Sequence, residues 1–481
     1  MSSAPMTPPR GTRLARTGRA AELGLLVFAA VIVTSAMVIV ELNQNRSLTW
    51  DLAWYGGGYL LSLVITHLAV RRFAPYADPV LMPVAALLNG IGLVMIHRLD
   101  LGAVVKALAD DNDAPSAQAP LQLVWTGIAL LLFIIVLALV RDHTVLQQYA
   151  YTIALVGLVF MALPAVLPSA VAPTINGAKI WLRIPGVLSI QPAEFAKVAL
   201  IIFSAAFLTS KIGVLRTAGK KFLGLQLPRI RDLGPVIVAL AVTLAILVRG
   251  SDLGTSLLLF GTLLVMIYLA SSRASWLIIG LLAFAGGATL MYQLFSHVRV
   301  RVDIWLHPFA DPSGSSYQLV QSLFGLGTGG IFGTGLGGGR PNTVPFASSD
   351  FIIAALGEEL GLVGLTVIIV LYMILTGRGL RTAMAVKDTF GSLFAGGLAF
   401  SLALQVFIIV GGVTRLIPLT GLTTPFLSYG GSSLLANYII LALLMRISDS
   451  SRRPAEPVRP KPAPLIEART EMVPVAKDGA S

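Results

Sequence analysis

The sequence predicts an all-α polytopic membrane protein of about twelve spanning helices, with one large extracytoplasmic loop at residues 296–350. Three observations predict it. Hydrophobic residues make up 56% of the 481-residue chain and charged residues only 12%, with mean hydropathy +0.82, whereas a soluble domain carries about 25% charged residues. Apolar stretches of the length a bilayer needs, about 20 residues, recur from end to end. The Lys and Arg residues between them concentrate on alternate connections, as the positive-inside rule requires.

The twelve stretches are residues 22–41, 53–70, 80–97, 121–140, 147–167, 190–209, 234–249, 254–271, 275–295, 351–375, 392–413 and 431–447. The seventh and eighth are short and separated only by the RGSD segment that contains Asp252. With the N-terminus inside, the inner connections collect Arg10, Arg13, Arg16, Arg19, Arg71, Arg72, the basic run from Lys211 to Arg231, Arg378, Arg381, Lys387 and the C-terminal cations. The outer connections hold fewer, which places both termini in the cytoplasm. The first span is long, lacks a small-residue cleavage site and is followed at once by others, so it is not a cleaved signal peptide. Residues 1–21 and 449–481 are polar, Pro- and Arg-rich and expected to be disordered. Their charge reads first as topogenic and second as a contact for anionic membrane lipid.

Composition also excludes. The net charge of +12 follows topology and does not point to nucleic acid. The absence of cysteine rules out disulfides and thiolate metal sites, and five scattered histidines form no HExxH, so no metal site is expected. The loop at 296–350 and the motif-like segments 176–189 and 411–430 all fall outside by this topology, where ATP is not available.

Within the long loop, acids are scarce: Asp303, Asp311 and Asp350 are the three before Gly357. Asp311, in FADPSGSSYQ, sits in a turn signal ahead of an amphipathic segment, YQLVQSLFGLG, suited to the membrane interface. Partial burial there would raise its pKa toward that of a useful base. Turn capping is the alternative. Asp303 is expected to pair with Arg299 or Arg301, and Asp350 to cap the next helix. Nine glycines lie between Gly325 and Gly339. Without GK[ST] or a preceding strand they form no nucleotide cradle, which leaves a compact backbone surface or a flexible hinge. QPAEFAK puts Glu194 and Lys197 three apart on one helix face, as a functional pair or an interhelical clamp. Lys179 and Arg183 flank Trp181 at the outer interface and, with Arg415, break the charge pattern, which makes them candidates for holding phosphate. Trp181 is also a common interfacial anchor.

Together, NGAKIWLRIPG, QPAEFAK, SDLGTS, DPSGSSYQLVQS, DFIIAALGEELG and PLTGLTTPFLSYGGSSLLAN, in this order, resemble the SEDS family (shape, elongation, division and sporulation). The likeness is closer to its rod-shape than to its division members. It runs from about Ala77 to Ile447, so a ten-helix core at 77–448 is preceded by two extra helices at 22–76. The resemblance implies a peptidoglycan glycosyltransferase that polymerises lipid II at the outer face of the bacterial cytoplasmic membrane, with a class B penicillin-binding protein as partner. It implies Asp311 as the catalytic residue, acting as base, and no cofactor, with a divalent cation left open. Lys179, Trp181, Arg183, Glu194, Lys197, Asp252, Gln318, Arg415 and Ser432 fall on its motifs as the expected substrate-binding set, with Lys179, Arg183, Lys197 and Arg415 expected to bind the pyrophosphate. Relatives carry Leu-Asp-Pro where this chain has Leu306, His307 and Pro308, which removes one rival acid. A lipid II flippase, a division-type polymerase and a non-catalytic scaffold are the competing readings.

Overall fold

The computed structural model of the protein describes residues 18–44, 50–109, 111, 113, 116–175, 178–184, 188–217, 220–222, 225–227 and 233–454. The N-terminal segment to residue 17 and the tail from residue 455, both expected to be disordered, lie outside the described residues, as do Asn176 and Gly177.

Every predicted span coincides with a helix. In chain order these are α1 (Arg19–Asn43), α2 (Trp50–Phe73), α3 (Leu81–Ala109), α4 (Ala119–Leu139), the single turn α5 (Val145–Gln148), α6 (Ala150–Val166), α7 (Pro192–Thr217), α8 (Gly234–Arg249), α9 (Leu253–Ser271) and α10 (Ala274–Leu294). Then come α11 (Ser296–Leu306), α12 (Tyr317–Gly329), α13 (Ile352–Ala385), α14 (Thr389–Val413) and α15 (Gly431–Arg452). Nine of these, among the described residues, are long and apolar enough to cross a membrane by themselves; α6 and α8, at 17 and 16 residues, are shorter apolar helices. The chain is a multi-pass membrane protein. Two small antiparallel hairpins, β1 (Leu182–Ile184) with β2 (Leu188–Ile190) and β3 (Lys220–Phe222) with β4 (Leu225–Leu227), are the strands present among the described residues.

Local chemistry sets several boundaries. Pro192 opens α7 at a position where its missing N–H costs nothing. Asp252 caps α9 by accepting from the Thr255 N–H at 2.9 Å, and Asp388 caps α14 through Gly391. Two boundaries differ from expectation. α1 begins at Arg19, because Arg19 and Glu22 neutralise one another in a buried pair with His67 and so enter the helical body. α15 runs on to Arg452, because Arg446 and Asp449 pair on one face and Arg452 reaches the buried Asp78.

The helices pack α1 on α3, α4 on α15, α6 on α7, α9 on α14 and α13 on both α12 and α14. α3 and α15 are the most enclosed, while α10 is largely exposed. Phe133, Phe426 and Tyr438 meet edge-on in the centre, where Tyr438 is 1% exposed.

The large loop is more ordered than its composition suggested. It holds α11 and α12, and its glycine-rich part lies on α13. Gly333 N donates to the Gly329 carbonyl, Thr334 N and Gly335 N to the carbonyls of Glu358 and Glu359, and Leu362 N and Val363 N to those of Gly330 and Ile331. α13 breaks its helical geometry at Gly361, φ +67, to receive these bonds. A Cβ on Gly361 would stand 2.3 Å from Gly333 N, and one on Gly329 2.1 Å from the Gly357 carbonyl oxygen. Of the two readings of the glycine run, the compact backbone surface holds and the flexible hinge does not.

Candidate functional site

The polar side chains gather at one end of the bundle, where α7, α9 and α15 begin and α11 and α14 end. Gln191, just ahead of α7, organises the first group. Its backbone N–H donates to Ser432 Oγ at 2.9 Å, and its Nε2 to Asp252 Oδ2 at 3.3 Å. Ser432 in turn donates to the Ser189 carbonyl at 3.5 Å. Asp252 also accepts from Thr255 Oγ1 at 2.8 Å. Ser432 and Asp252 are therefore joined through a residue that the motif QPAEFAK contains but that was not singled out.

One turn into α7, Lys197 donates to Glu194 Oε2 at 2.9 Å and to Gln405 Oε1 at 3.0 Å. Gln405 donates onward to the Thr423 carbonyl at 2.9 Å. Lys197 is 1% exposed and Glu194 5%. The pair thus clamps α7 to α14, with its charges satisfied inside the body, which an unpaired charge at that depth could not be.

Arg301 is the cation that faces this end from α11. Its Nη1 donates to the Leu419 carbonyl at 3.1 Å, and its charge acts on both Asp252 and Asp350. Burial pushes the Arg301 guanidinium below its ordinary value while the two carboxylates act the other way. This corrects two expectations. Arg301 turns toward the bundle, and Asp303 is exposed, with no ion pair to Arg299 or Arg301 among the described residues. Asp350 is no helix cap: α13 follows Phe351 with no side-chain cap. Instead burial pushes the Asp350 carboxyl up to about 6, against the pull of Arg301. The signal for Arg301 was present in the sequence as one more cation on the outer side.

Asp311 occupies the turn between α11 and α12. Its Oδ2 accepts from the Ser315 backbone N–H at 2.7 Å and from Ser315 Oγ at 3.0 Å. These bonds, the backbone one first, hold its carboxyl below the usual carboxylate value. The expectation of a carboxyl raised by partial burial is therefore overturned: the side chain is exposed, and its hydrogen bonds favour the charged form. A Cβ on Gly314 would strike the carboxylate at 2.3 Å, so the turn is shaped around it. Gln318, half-buried, sits in the first turn of α12 just beyond.

The expected phosphate-holding cations are placed differently from one another. Arg415, with φ +63, donates from Nε to the Trp305 carbonyl at 2.9 Å and from Nη2 to that of Leu306 at 2.8 Å. Trp305 returns a bond from Nε1 to the Arg415 carbonyl at 3.1 Å. Arg415 thereby caps the free carbonyls at the C-terminal end of α11, immediately before the Asp311 turn. Lys179 donates to the Leu167 carbonyl at 2.7 Å and borders an apolar pocket lined by Met161, Ala193, Ile246 and Leu247. Trp181 is half-buried beside it, and Arg183 is exposed, its backbone N–H bonded to the Val171 carbonyl at 2.7 Å.

The geometry therefore offers an ionised, exposed carboxylate on a braced turn. The structure also holds a polar cluster of Gln191, Asp252, Arg301, Asp350 and Ser432, of which Asp252 and Ser432 are buried, and a lysine at the rim of a small apolar pocket. Such groups suit a substrate with hydroxyl groups and an anionic centre.

Comparison with known proteins gives a consistent picture. The family model named for FtsW, RodA and SpoVE, described as cell cycle protein, matches residues 78–453. The peptidoglycan glycosyltransferase RodA of Mycobacterium tuberculosis is 55% identical over 468 residues, covering 97% of each chain. Stage V sporulation protein E of Bacillus subtilis is 35% identical over 378 residues, 78% of this chain and 98% of its own. Among solved structures, one describing coordination of polymerization and crosslinking by a peptidoglycan synthase complex superposes with TM-score 0.61. It is 27% identical and covers 79% of this chain and 99% of its own. The Thermus thermophilus rod shape determining protein RodA shares the fold, with TM-score 0.51, 23% identity and coverage of 79% and 98%.

Proposed function

We propose an activity from one premise: this chain belongs to the FtsW/RodA/SpoVE family of cell cycle proteins. It is a peptidoglycan glycosyltransferase, and the substrate we assign is lipid II, presented at the outer face of the bacterial cytoplasmic membrane with both termini of the chain inside. The partner is a class B penicillin-binding protein, which crosslinks the new strand. The role we assign is that of the elongation branch, with no organic cofactor and a divalent cation left open.

The observation that carries the mechanism is the Asp311 turn. In the reaction a sugar hydroxyl attacks the anomeric carbon of a second sugar, and lipid pyrophosphate leaves. A hydroxyl is a weak nucleophile, and a positioned base assists such a step by about 10²–10⁴-fold. Ser315 aims the Asp311 carboxylate and lowers its pKa further below neutral, and Arg415 braces the helix end from which the turn departs. The departing pyrophosphate needs positive charge. Lys179, at the rim of the small apolar pocket, and the exposed Arg183 supply it. Gln191, Asp252, Ser432 and Gln318 offer the donors and acceptors that orient sugar hydroxyls. Glu194 and Lys197 hold α7 and α14 together beneath them.

The test is direct. Purified protein given labelled lipid II in detergent, alone and with its transpeptidase partner, is expected to make glycan polymer. Polymer formed at full rate by Asp311→Asn would refute the assignment of the base. A flippase has nothing to do in detergent, and a scaffold alone would make nothing.

A further inference from the structure

The helices ahead of the family match, α1 and α2, have no part in the chemistry above, and the glycine run explains only its own packing. The two meet. At the C-terminal end of α1, Asn43 Nδ2 donates to the Leu336 carbonyl at 2.6 Å and Gln44 Nε2 to the Gly337 carbonyl at 2.6 Å. Gly337 has φ +81, and a Cβ there would stand 3.0 Å from Asn43 Cβ. From the other side Gly337 N donates to Glu359 Oε2 at 3.0 Å. Arg98 of α3 binds Glu359 Oε1 at 2.9 Å and the Gly339 carbonyl at 2.7 Å. His97, its neighbour, bonds Glu41 of α1 at 2.7 Å. The turn at 333–339 is thus gripped between α1, α3 and α13, and the same turn leads straight back into α12, whose first residues follow Asp311.

We infer that Asn43 and Gln44 are positioning residues: the end of α1 latches the glycine-rich turn, and through α12 it sets the place of Asp311. Gly333, Gly335 and Gly337 all lie in the left-handed region, at φ +82, +88 and +81. Within the turn Gly338 N donates to the Gly335 carbonyl at 2.9 Å, and the two amides of α1 meet the next two carbonyls, those of Leu336 and Gly337. Misplacement of a reacting group by about 1 Å can cost about 10²-fold in rate, so a latch remote from the chemistry still controls it.

The inference rests on the polymerase reading, and the experiment separates the two. Full-length protein in detergent is given labelled lipid II. Asn43→Asp with Gln44→Glu keeps size but replaces both donors by oxygens that repel the carbonyls. Its kcat is expected to fall about tenfold with KM little changed, and the amides at 333–339 to exchange hydrogen faster. The single variants Asn43→Asp and Gln44→Glu each keep one donor and are expected to lose less rate than the double variant. Wild-type turnover or unchanged exchange at 333–339 in the double variant would each overturn the latch. A wild-type protein that makes no polymer counts against the polymerase reading alone, because the exchange measurement reads the latch without turnover.

Discussion

The carboxylate of Asp311 and the backbone and hydroxyl of Ser315 close a five-residue turn, with both donors on the same carboxylate oxygen, Oδ2, at 2.7 and 3.0 Å. The arrangement fixes the orientation of the carboxylate. It also fixes the charge state, since donors to the ionised form lower a carboxyl pKa.

Asp311→Asn should therefore abolish polymerisation while leaving thermal unfolding unchanged, because the exposed side chain supports no packing. Ser315→Ala should do something subtler. Loss of the hydroxyl donor lets the Asp311 carboxyl rise toward its ordinary value, so the acid limb of the pH–rate profile moves to higher pH. At neutral pH the base stays ionised and the rate changes by less than about tenfold. A profile for Ser315→Ala that overlays the wild type would contradict this.

Asp350 makes the opposite prediction. Its carboxyl, at about 6 in the folded chain against 3.8 as the ordinary value, holds its proton more tightly folded than unfolded. Its contribution to stability thus falls as pH rises from about 4 to about 6 and levels off above. Thermal unfolding in detergent across this window should show the decline, and Asp350→Asn should flatten it.

Lys197 and Glu194 are buried together, so removing one partner strands the other. Lys197→Met should cost about 3–5 kcal/mol, and Glu194→Leu with Lys197→Met should recover much of it. Denaturation in mixed micelles with the single and double variants measures the coupling. Near-additive effects would mean that the clamp is weaker than its geometry implies.

Gly361→Ala meets both a positive φ and the Gly333 N–H at 2.3 Å, and should destabilise by more than about 3 kcal/mol. Gly327→Ala, inside α12 with nothing within 4 Å, should be neutral or stabilise by up to about 1 kcal/mol. Equal behaviour of the two would refute the reading of the glycine run as a packed surface.

Particular residues show where sequence reasoning reached and where it stopped. The helices were legible because a spanning segment announces itself through its own twenty residues. Asp311 was legible because acids are scarce in its loop and its motif resembles the family pattern. The expected Asp303–arginine pairing failed because α11 is a helix. Its rotation sends Arg301 inward and Asp303 outward, and neighbours in sequence need not be neighbours in space. The capping role given to Asp350 failed for a related reason: burial against Arg301 and Asp252 outweighed a local cap.

By itself the sequence determined the membrane class, the order of the spans and the family, since each of these depends on composition or on short contiguous motifs. Only the tertiary structure decided that Asp311 is kept charged rather than raised, that Lys197 finds Gln405, that Arg415 caps α11, and that Asn43 and Gln44 grip the glycine-rich turn. These pairings join residues up to 293 positions apart. A hydrogen bond or a pKa depends on which groups the packed helices bring within about 3 Å, a distance that the spacing of residues along the chain does not encode.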